Sequence, residues 1–374
     1  MSYHGRFEQA KQPKQPGKKK GLKIFLIVIA VILVLLLILV GAAYLYLQSK
    51  LKKMNIIELP KDTYAYTEPT DEVTRPPETG AAETTEATTE ATVPKMTADD
   101  IINILVVGQA ARAGEESYMA DSTMLVSINT YTKEINCMSV LRDSLVKLPD
   151  YKGHQCGRAK FTVCYNLGHM WGDTAGAMEM TNICLKDNFG VEVDYNVEIS
   201  FDSFIKMIDY IDGIDIELTQ AEADYLNKDT LYVKRTIEPG VQRLQGMEAL
   251  SYARMRKAAG DSESDIKRTE RQRKVVEALL ERFRYKSLSK LNNWVDILMP
   301  MVTTTMTPTD VTKLAAKILP LLPELKIKGY TIPMEGWGDM VDIYDNGEIH
   351  SVMRFDTAKE KKLIRAITEA EVSD

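Results

Sequence analysis

Hydrophobic positions along this 374-residue chain change period several times, and each change predicts a different element. Residues 24–47 form an apolar run with no charged side chain. As a helix it is about 36 Å long, enough to cross the roughly 30 Å hydrocarbon core of a bilayer. The apolar run continues through Tyr44-Leu45-Tyr46-Leu47, past the small residues Gly41-Ala42-Ala43, so it reads as a retained transmembrane helix and not as a cleaved signal. Farther on, residues 101–107 are rich in β-branched side chains and end at Gly108. Segments 123–129 and 135–141 flank the polar turn Thr130 to Glu134, which predicts a hairpin. A meander of these three strands would gather Gly108–Arg112, Asp121 and Arg142–Asp143 on one edge.

The period then becomes helical. Segments 175–188, 201–210, 246–253 and 265–283 carry helix patterns, with a short strand at 214–218 and Asp265 as a plausible N-cap. Residues 310–319 and 357–368 also read as helices, and 326–332 and 352–355 as strands. The fold class is therefore α/β, a mixed sheet flanked by helices, preceded by one transmembrane helix and a disordered linker.

Composition sharpens the boundaries. Residues 1–23 hold seven Lys or Arg against Glu8, a net +6, which leaves −12 for the remainder of a chain whose total is −6. The positive-inside rule makes 1–23 a basic cytoplasmic tail, with the bulk of the chain outside the cell membrane. Residues 48–96 read as a linker dominated by Thr, Glu, Ala and Pro, too poor in large apolar groups to fold. As a flexible coil it would span on the order of 40 Å. The extracytoplasmic domain is expected at 97–285, with 286–374 a C-terminal extension packed on it. The acidic bulk argues against nucleic-acid binding.

Cys137, Cys156, Cys164 and Cys184 all fall outside the span. Their even number permits disulfides in an oxidising location, with Cys156 and Cys164 the nearest pair. The alternative is that they are small apolar residues, as Cys137 would be inside a strand. The three histidines beyond the span (His154, His169, His350) are too few and scattered for a histidine-centred metal site or catalytic triad.

Arginine carries the densest chemical signal. Tyr252-Ala-Arg254-Met-Arg256-Lys257 is followed by Asp265-Ile-Lys-Arg268-Thr-Glu-Arg271-Gln272. On a helix Arg268, Arg271 and Gln272 share a face that continues into Val275 and Leu279, the stripe that should face the core. An inward guanidinium needs an anion, either a phosphate or an internal carboxylate, and spacing alone leaves both open. With Arg142 at a strand end, Asp121 opening a strand and, as a weaker signal, Lys160, the set suggests a polyanion site for a pyrophosphate with a divalent cation.

In this order Asn103-Ile-Leu-Val-Val-Gly108, Asp121-Ser-Thr-Met, Val140-Leu-Arg142-Asp143, Lys160-Phe-Thr-Val-Cys-Tyr165, Tyr252-Ala-Arg254-Met-Arg256 and Arg268-Thr-Glu-Arg271-Gln272 resemble the motifs of LytR-CpsA-Psr proteins, over about 97–285. The resemblance implies an extracytoplasmic phosphotransferase. Such enzymes attach anionic glycopolymers, of teichoic acid or capsule type, from a polyprenyl-pyrophosphate carrier to peptidoglycan. It implies that Arg142, Arg254, Arg256, Arg268 and Arg271 hold the pyrophosphate, with Arg112, Lys160 and Gln272 as further substrate contacts. Asp121 would bind Mg²⁺ (or Mn²⁺) or assist deprotonation of the acceptor hydroxyl, and an apolar tunnel would take the lipid.

Four positions depart from the family pattern. Ala110 stands where an acid is usual, Met119 where an Arg is usual, Thr162 in place of Asn, and His169 in place of Gly. Losing the acid leaves the metal dependent on substrate oxygens, or on Asp143 as a stand-in. A non-catalytic paralogue that only binds the lipid-linked polymer is the alternative reading. A membrane-bound transcriptional regulator is a remote one, because the 23-residue tail holds no helix-turn-helix.

Overall fold

In chain order the fold opens with β1 (Asn55–Ile56), β2 (Ile101–Gln109), β3 (Ala120–Asn129) and β4 (Glu134–Val140), a short ribbon of β5 (Leu145–Lys147) and β6 (Arg158–Lys160), and helix α1 (Phe161–Phe189). It continues through β7 (Tyr195–Ser200), α2 (Phe201–Tyr210), β8 (Ile214–Leu218), α3 (Gln220–Lys228), β9 (Gly240–Leu244), α4 (Gly246–Arg254) and α5 (Asp265–Arg284). It ends with β10 (Val302–Thr304), α6 (Pro308–Ile318), β11 (Lys326–Ile332), β12 (Gly338–Asp345), β13 (Glu348–Phe355) and α7 (Thr357–Thr368). This computed structural model describes residues 49, 54–60, 96–109, 120–256, 265–284, 297, 299–345 and 348–369. The expected span at 24–47 and most of the linker lie outside them. Among the described residues no helix is long and apolar enough to cross a membrane.

Seven strands form the central sheet in the order β1-β10-β7-β2-β3-β4-β11. The predicted meander is present: β2 pairs antiparallel with β3, and β3 with β4. β7 adds parallel to β2, and β11 parallel to β4, so the sheet is mixed. A parallel neighbour needs a crossover, and α1 supplies the one between β4 and β7. β2 lies near the middle and is buried at seven of its nine positions. That is why its sequence is a continuous apolar run without alternation. Leu105, Val107, Leu125, Met138 and Val140 meet α1 residues such as Phe161, Met180, Leu185 and Phe189 on one face. Each such side chain taken from water contributes about 1.5–3 kcal/mol. A second cluster joins α2, β8, α3, β9, α4 and α5 through Ile208, Ile214, Leu226, Leu244, Tyr252 and Val275.

The region read as a C-terminal extension is part of the same sheet, since β10 pairs with β7 and β11 with β4. Part of the stretch read as linker is also ordered. β1 pairs with β10, and the Ile57 N–H donates to the Thr304 carbonyl at 2.9 Å. β1 and β10 were not visible in the sequence, because a two- or three-residue strand carries no period of its own.

Helix α1 begins at Phe161, fourteen residues before the predicted start. Gly172 (φ −159°) and Asp173 (φ 57°) break it into two halves, which is why its first half carried no continuous helical stripe. The halves press together so closely that a Cβ on Gly168 would lie 2.6 Å from the Gly176 carbonyl oxygen. His169, the residue beside that contact, stays partly exposed.

All four cysteines are free thiols, so the Cys156–Cys164 pairing is not present. The Cys164 thiol donates to the Met180 carbonyl at 3.3 Å. Cys137 is buried in β4, and burial, together with the nearby Glu277 and against Arg273, pushes its thiol up to about 12. Cys137, Cys164 and Cys184 act as small core residues.

Two consequences are measurable. Gly168→Ala should destabilise the protein by about 1–3 kcal/mol in urea unfolding, because the Gly176 backbone must move to admit the methyl group. An unchanged midpoint would show that the half-helices are not in contact. Glu198 of β7 is buried and accepts a hydrogen bond from the Tyr165 hydroxyl of α1. Burial raises its carboxyl above the ordinary 4.5, an effect Tyr165 only partly opposes. The folded protein therefore holds this proton more tightly than the unfolded chain does. Stability should fall as pH rises from 4.5 through the raised value. Glu198→Gln should flatten that part of the stability–pH curve.

Candidate functional site

The far end of β2, the start of β3 and the end of β4 share one sheet edge, as the meander requires. On the side away from α1, a cavity of about 410 Å³ opens between this edge and helices α2, α4 and α5. Its floor is Val106, Gly108, Ser122 and Met124 from alternate positions of β2 and β3, joined by Ile199 of β7. Phe201 and Phe204 enter from α2, Leu250 and Ala253 from α4, and Val275, Val276 and Leu279 from α5. Ser200 caps α2 by accepting from the Ser203 N–H at 3.2 Å, which fixes where Phe201 and Phe204 emerge.

Against this apolar wall stand Arg254, Arg256, Arg268 and Gln272. Arg268 is only 4% exposed. On α5, Arg268, Gln272, Val275 and Leu279 fall on one stripe at a rotation of 100° per residue, so the cationic end continues directly into the apolar wall. Arg254 is exposed and lies over two rings, with its guanidinium carbon 5.2 Å from the Phe201 centroid and 5.9 Å from that of Tyr232. It also donates to the Tyr232 hydroxyl at 3.2 Å. These contacts hold the side chain extended while leaving it accessible. Gln272 Oε1 accepts from the Ser122 hydroxyl at 3.0 Å, linking α5 to the start of β3.

Arg271 goes elsewhere. It sits roughly 60° around α5 from Arg268, at the margin of the stripe. Its Nε donates to Glu222 Oε1 at 2.9 Å and its Nη1 to the Met255 carbonyl at 3.1 Å. Both side chains of this pair are about 95% buried. The two readings left open by the spacing are thus divided: Arg268 and Gln272 face the cavity, whereas Arg271 makes the internal ion pair. Burial alone would raise the Glu222 carboxyl, but the Thr219 backbone N–H and Arg271 more than reverse this and hold it below its ordinary value.

Arg142 and Lys160 flank the edge without lining the cavity. Asp143 lies between them, 2.8 Å from Lys160 Nζ and 3.6 Å from Arg142 Nε. Thr162 connects this group to β3. Its N–H donates to the Arg142 carbonyl at 3.0 Å and its hydroxyl to the Ala120 carbonyl at 3.2 Å. Asp121 follows Ala120 in β3, which places its backbone at the same edge. Its side chain lies outside the described set, as do Ala110, Arg112 and Met119. Among the described residues no three His, Cys, Asp or Glu side chains come together as a metal site. Asp143, the possible stand-in for the missing acid, is already engaged by Lys160.

Ser122, Phe201, Tyr232 and Glu222 were not singled out from the sequence. Ser122 sits next to Asp121 in a motif that had been noticed. Thr219-x-x-Glu222 is a capping box, visible to a search for helix starts. Phe201 and Tyr232 had no local signal.

The model of the LytR_cpsA_psr family matches residues 70–361. The polyisoprenyl-teichoic acid–peptidoglycan teichoic acid transferase TagT of Bacillus subtilis is 30% identical over 207 residues, 54% of this chain and 58% of that protein. The chain thus spans less than two thirds of that relative's length. The regulatory protein MsrR of Staphylococcus aureus is 29% identical over 252 residues, 67% of this chain and 69% of MsrR. A solved structure of the LytR-CPS2A-psr family protein YwtF (TagT) with bound octaprenyl pyrophosphate lipid superimposes with a TM-score of 0.51 at 20% identity, covering 74% of this chain and 94% of that one. With a family match that runs from the linker to α7, over a mixed sheet whose edge gathers the motif residues, this chain belongs to the LytR_cpsA_psr family.

Proposed function

We propose that this chain is a membrane-anchored extracytoplasmic phosphotransferase that attaches an anionic glycopolymer from a polyprenyl-pyrophosphate carrier to peptidoglycan. The observation that carries the reading is an apolar cavity of about 410 Å³ ending in Arg254, Arg256, Arg268 and Gln272. An isoprenoid chain suits the Val, Ile, Leu and Phe wall, and a pyrophosphate suits planar guanidinium donors. The teichoic acid transferase named among its relatives and the octaprenyl pyrophosphate bound to YwtF (TagT) are consistent with this chemistry. The span at 24–47 would confine the domain to the surface that holds its lipid donor, with residues 1–23 in the cytoplasm.

In this reading an acceptor hydroxyl on peptidoglycan attacks the phosphorus attached to the polymer. The new P–O bond forms as the bond to the lipid phosphate breaks, and polyprenyl phosphate leaves. The hydroxyl proton passes to Asp121. Arg254, Arg256 and Arg268 offset the charge on the pyrophosphate oxygens, and Gln272 adds a neutral donor. Arg142 and Lys160, at the same sheet edge with Asp143 between them, are the remaining proposed phosphate contacts. Alternatively Asp121 would hold Mg²⁺, which would supply charge neutralisation on the leaving phosphate, and the hydroxyl proton would then pass to solvent. Asp143 is not assigned to the metal, because Lys160 holds that carboxylate.

Ala110 supports a second reading, a paralogue that retains the lipid-linked polymer without transferring it. One experiment separates the two. The full-length protein in detergent is given lipid-pyrophosphate glycopolymer, peptidoglycan and Mg²⁺. Transfer is expected, with Arg254→Ala reducing kcat about 100-fold. If the wild type transfers nothing while Ala110→Asp does, the binding-only reading stands. In either case polyprenyl phosphates should co-purify and be lost in Arg254→Ala and Arg268→Ala. Undiminished lipid in both variants would mean that the arginine cluster is not the anion site.

A further inference from the structure

We infer that Glu222, a residue of α3 that does not line the cavity, is a positioning residue for the anion site, acting through Arg271 on the backbone that presents Arg254 and Arg256. The inference rests on the polyanion reading of those two arginines. Its structural basis is a chain of four contacts.

Helix α4 ends at Arg254, and Met255 leaves the helical conformation, with φ −58° and ψ 123°. Met255 is fully buried in the helical cluster. Its neighbours Arg254 and Arg256 both line the cavity. The placement of two cationic side chains thus depends on how firmly the Met255 peptide is held. Carbonyls at a helix C-terminus have no intrahelical partner. The Met255 carbonyl receives Arg271 Nη1 at 3.1 Å.

A guanidinium on a flexible side chain makes that bond reliably only if it is aimed. Glu222 Oε1 accepts from Arg271 Nε at 2.9 Å and fixes the plane of the group. Glu222 is held in turn. Its Oε2 accepts from the Thr219 N–H at 3.0 Å and the Thr219 hydroxyl at 3.1 Å in the capping box that starts α3. The rigid start of α3 is thereby coupled to the mouth of the cavity through one buried ion pair. The pair also has an electrostatic consequence. Glu222 neutralises Arg271, which therefore adds no net charge to the arginines that line the cavity.

The test compares two probes on the full-length protein in detergent, octaprenyl pyrophosphate and octaprenol. They share the lipid and differ in the anion. Wild type should prefer the pyrophosphate. Glu222→Gln should weaken octaprenyl pyrophosphate binding about tenfold while leaving octaprenol within about twofold, at a temperature well below unfolding. A purely structural role would lower the melting temperature without changing the ratio of the two affinities.

Glu222→Gln leaves Arg271 buried with a neutral partner and so risks misfolding. The double variant Glu222→Gln/Arg271→Met removes both charges and still lacks the donor to Met255. The same selective loss is expected of it. If either folded variant discriminates between the probes as well as wild type does, the inference is overturned and the anion-site reading survives. If wild type itself binds both probes equally, the anion-site reading fails, and this inference with it.

Discussion

The burial of β2 on both faces governs the architecture. A strand this apolar leaves neither face for water, and its backbone groups must be satisfied on both sides. β3 and β7 satisfy the backbone, one antiparallel and one parallel. Helix α1 covers one face. Helices α2, α4 and α5 cover the other, standing off near the end of the strand where the cavity opens. Gly108 at that end lacks a side chain, and a Cβ there would lie 3.2 Å from Ser122 Cβ. The cavity is a consequence of how a fully buried strand is covered, which explains why its floor is strand and its walls are helix.

Charge is then placed at one end of an apolar space, and the protein treats its arginines unequally. Arg271 is buried with a carboxylate, a backbone carbonyl and no access to the cavity. Burying a charged pair costs desolvation, so such a pair is better evidence of positional specification than of stability. Arg254 is exposed and held by aromatic faces, which restrict it without neutralising it. Arg268 lies between these extremes, buried yet lining the cavity. The gradation suits the proposed function, with Arg271 shaping the site and the cavity-lining arginines as the proposed contacts of the anion. Across the sheet edge, Asp143 holds Lys160 and Arg142 together, and Thr162 ties their backbone to the start of β3. Thr162 makes this tie through its hydroxyl, which donates to the Ala120 carbonyl.

Much of this was legible from the sequence where periodicity was strong. The meander, α2, β8, β11 and α7 lie where their patterns put them, and the sheet edge that collects Gly108, Asp121 and Arg142 follows from simple hairpin logic. Ordered motifs identified the family without any geometry. Elements without a period of their own were missed. β1 and β10 are two and three residues long and exist only because a neighbouring strand offers unpaired backbone. The first half of α1 was missed because the Gly172–Asp173 break interrupts its stripe.

By itself the sequence determined which residues are chemically able to act: an arginine-rich set, an acid at Asp121, and a motif order that names the family. It could not assign those arginines to roles. Arg268 and Arg271 are three residues apart on one helix and look equivalent in a periodicity argument. Only the tertiary structure separates them, because Glu222 and the Met255 carbonyl, 49 and 16 residues away in the chain, converge on Arg271. A local pattern reports which way a side chain turns about its own helix axis. Whether it meets a carboxylate or an open cavity depends on elements far away in sequence, and packing alone brings those together.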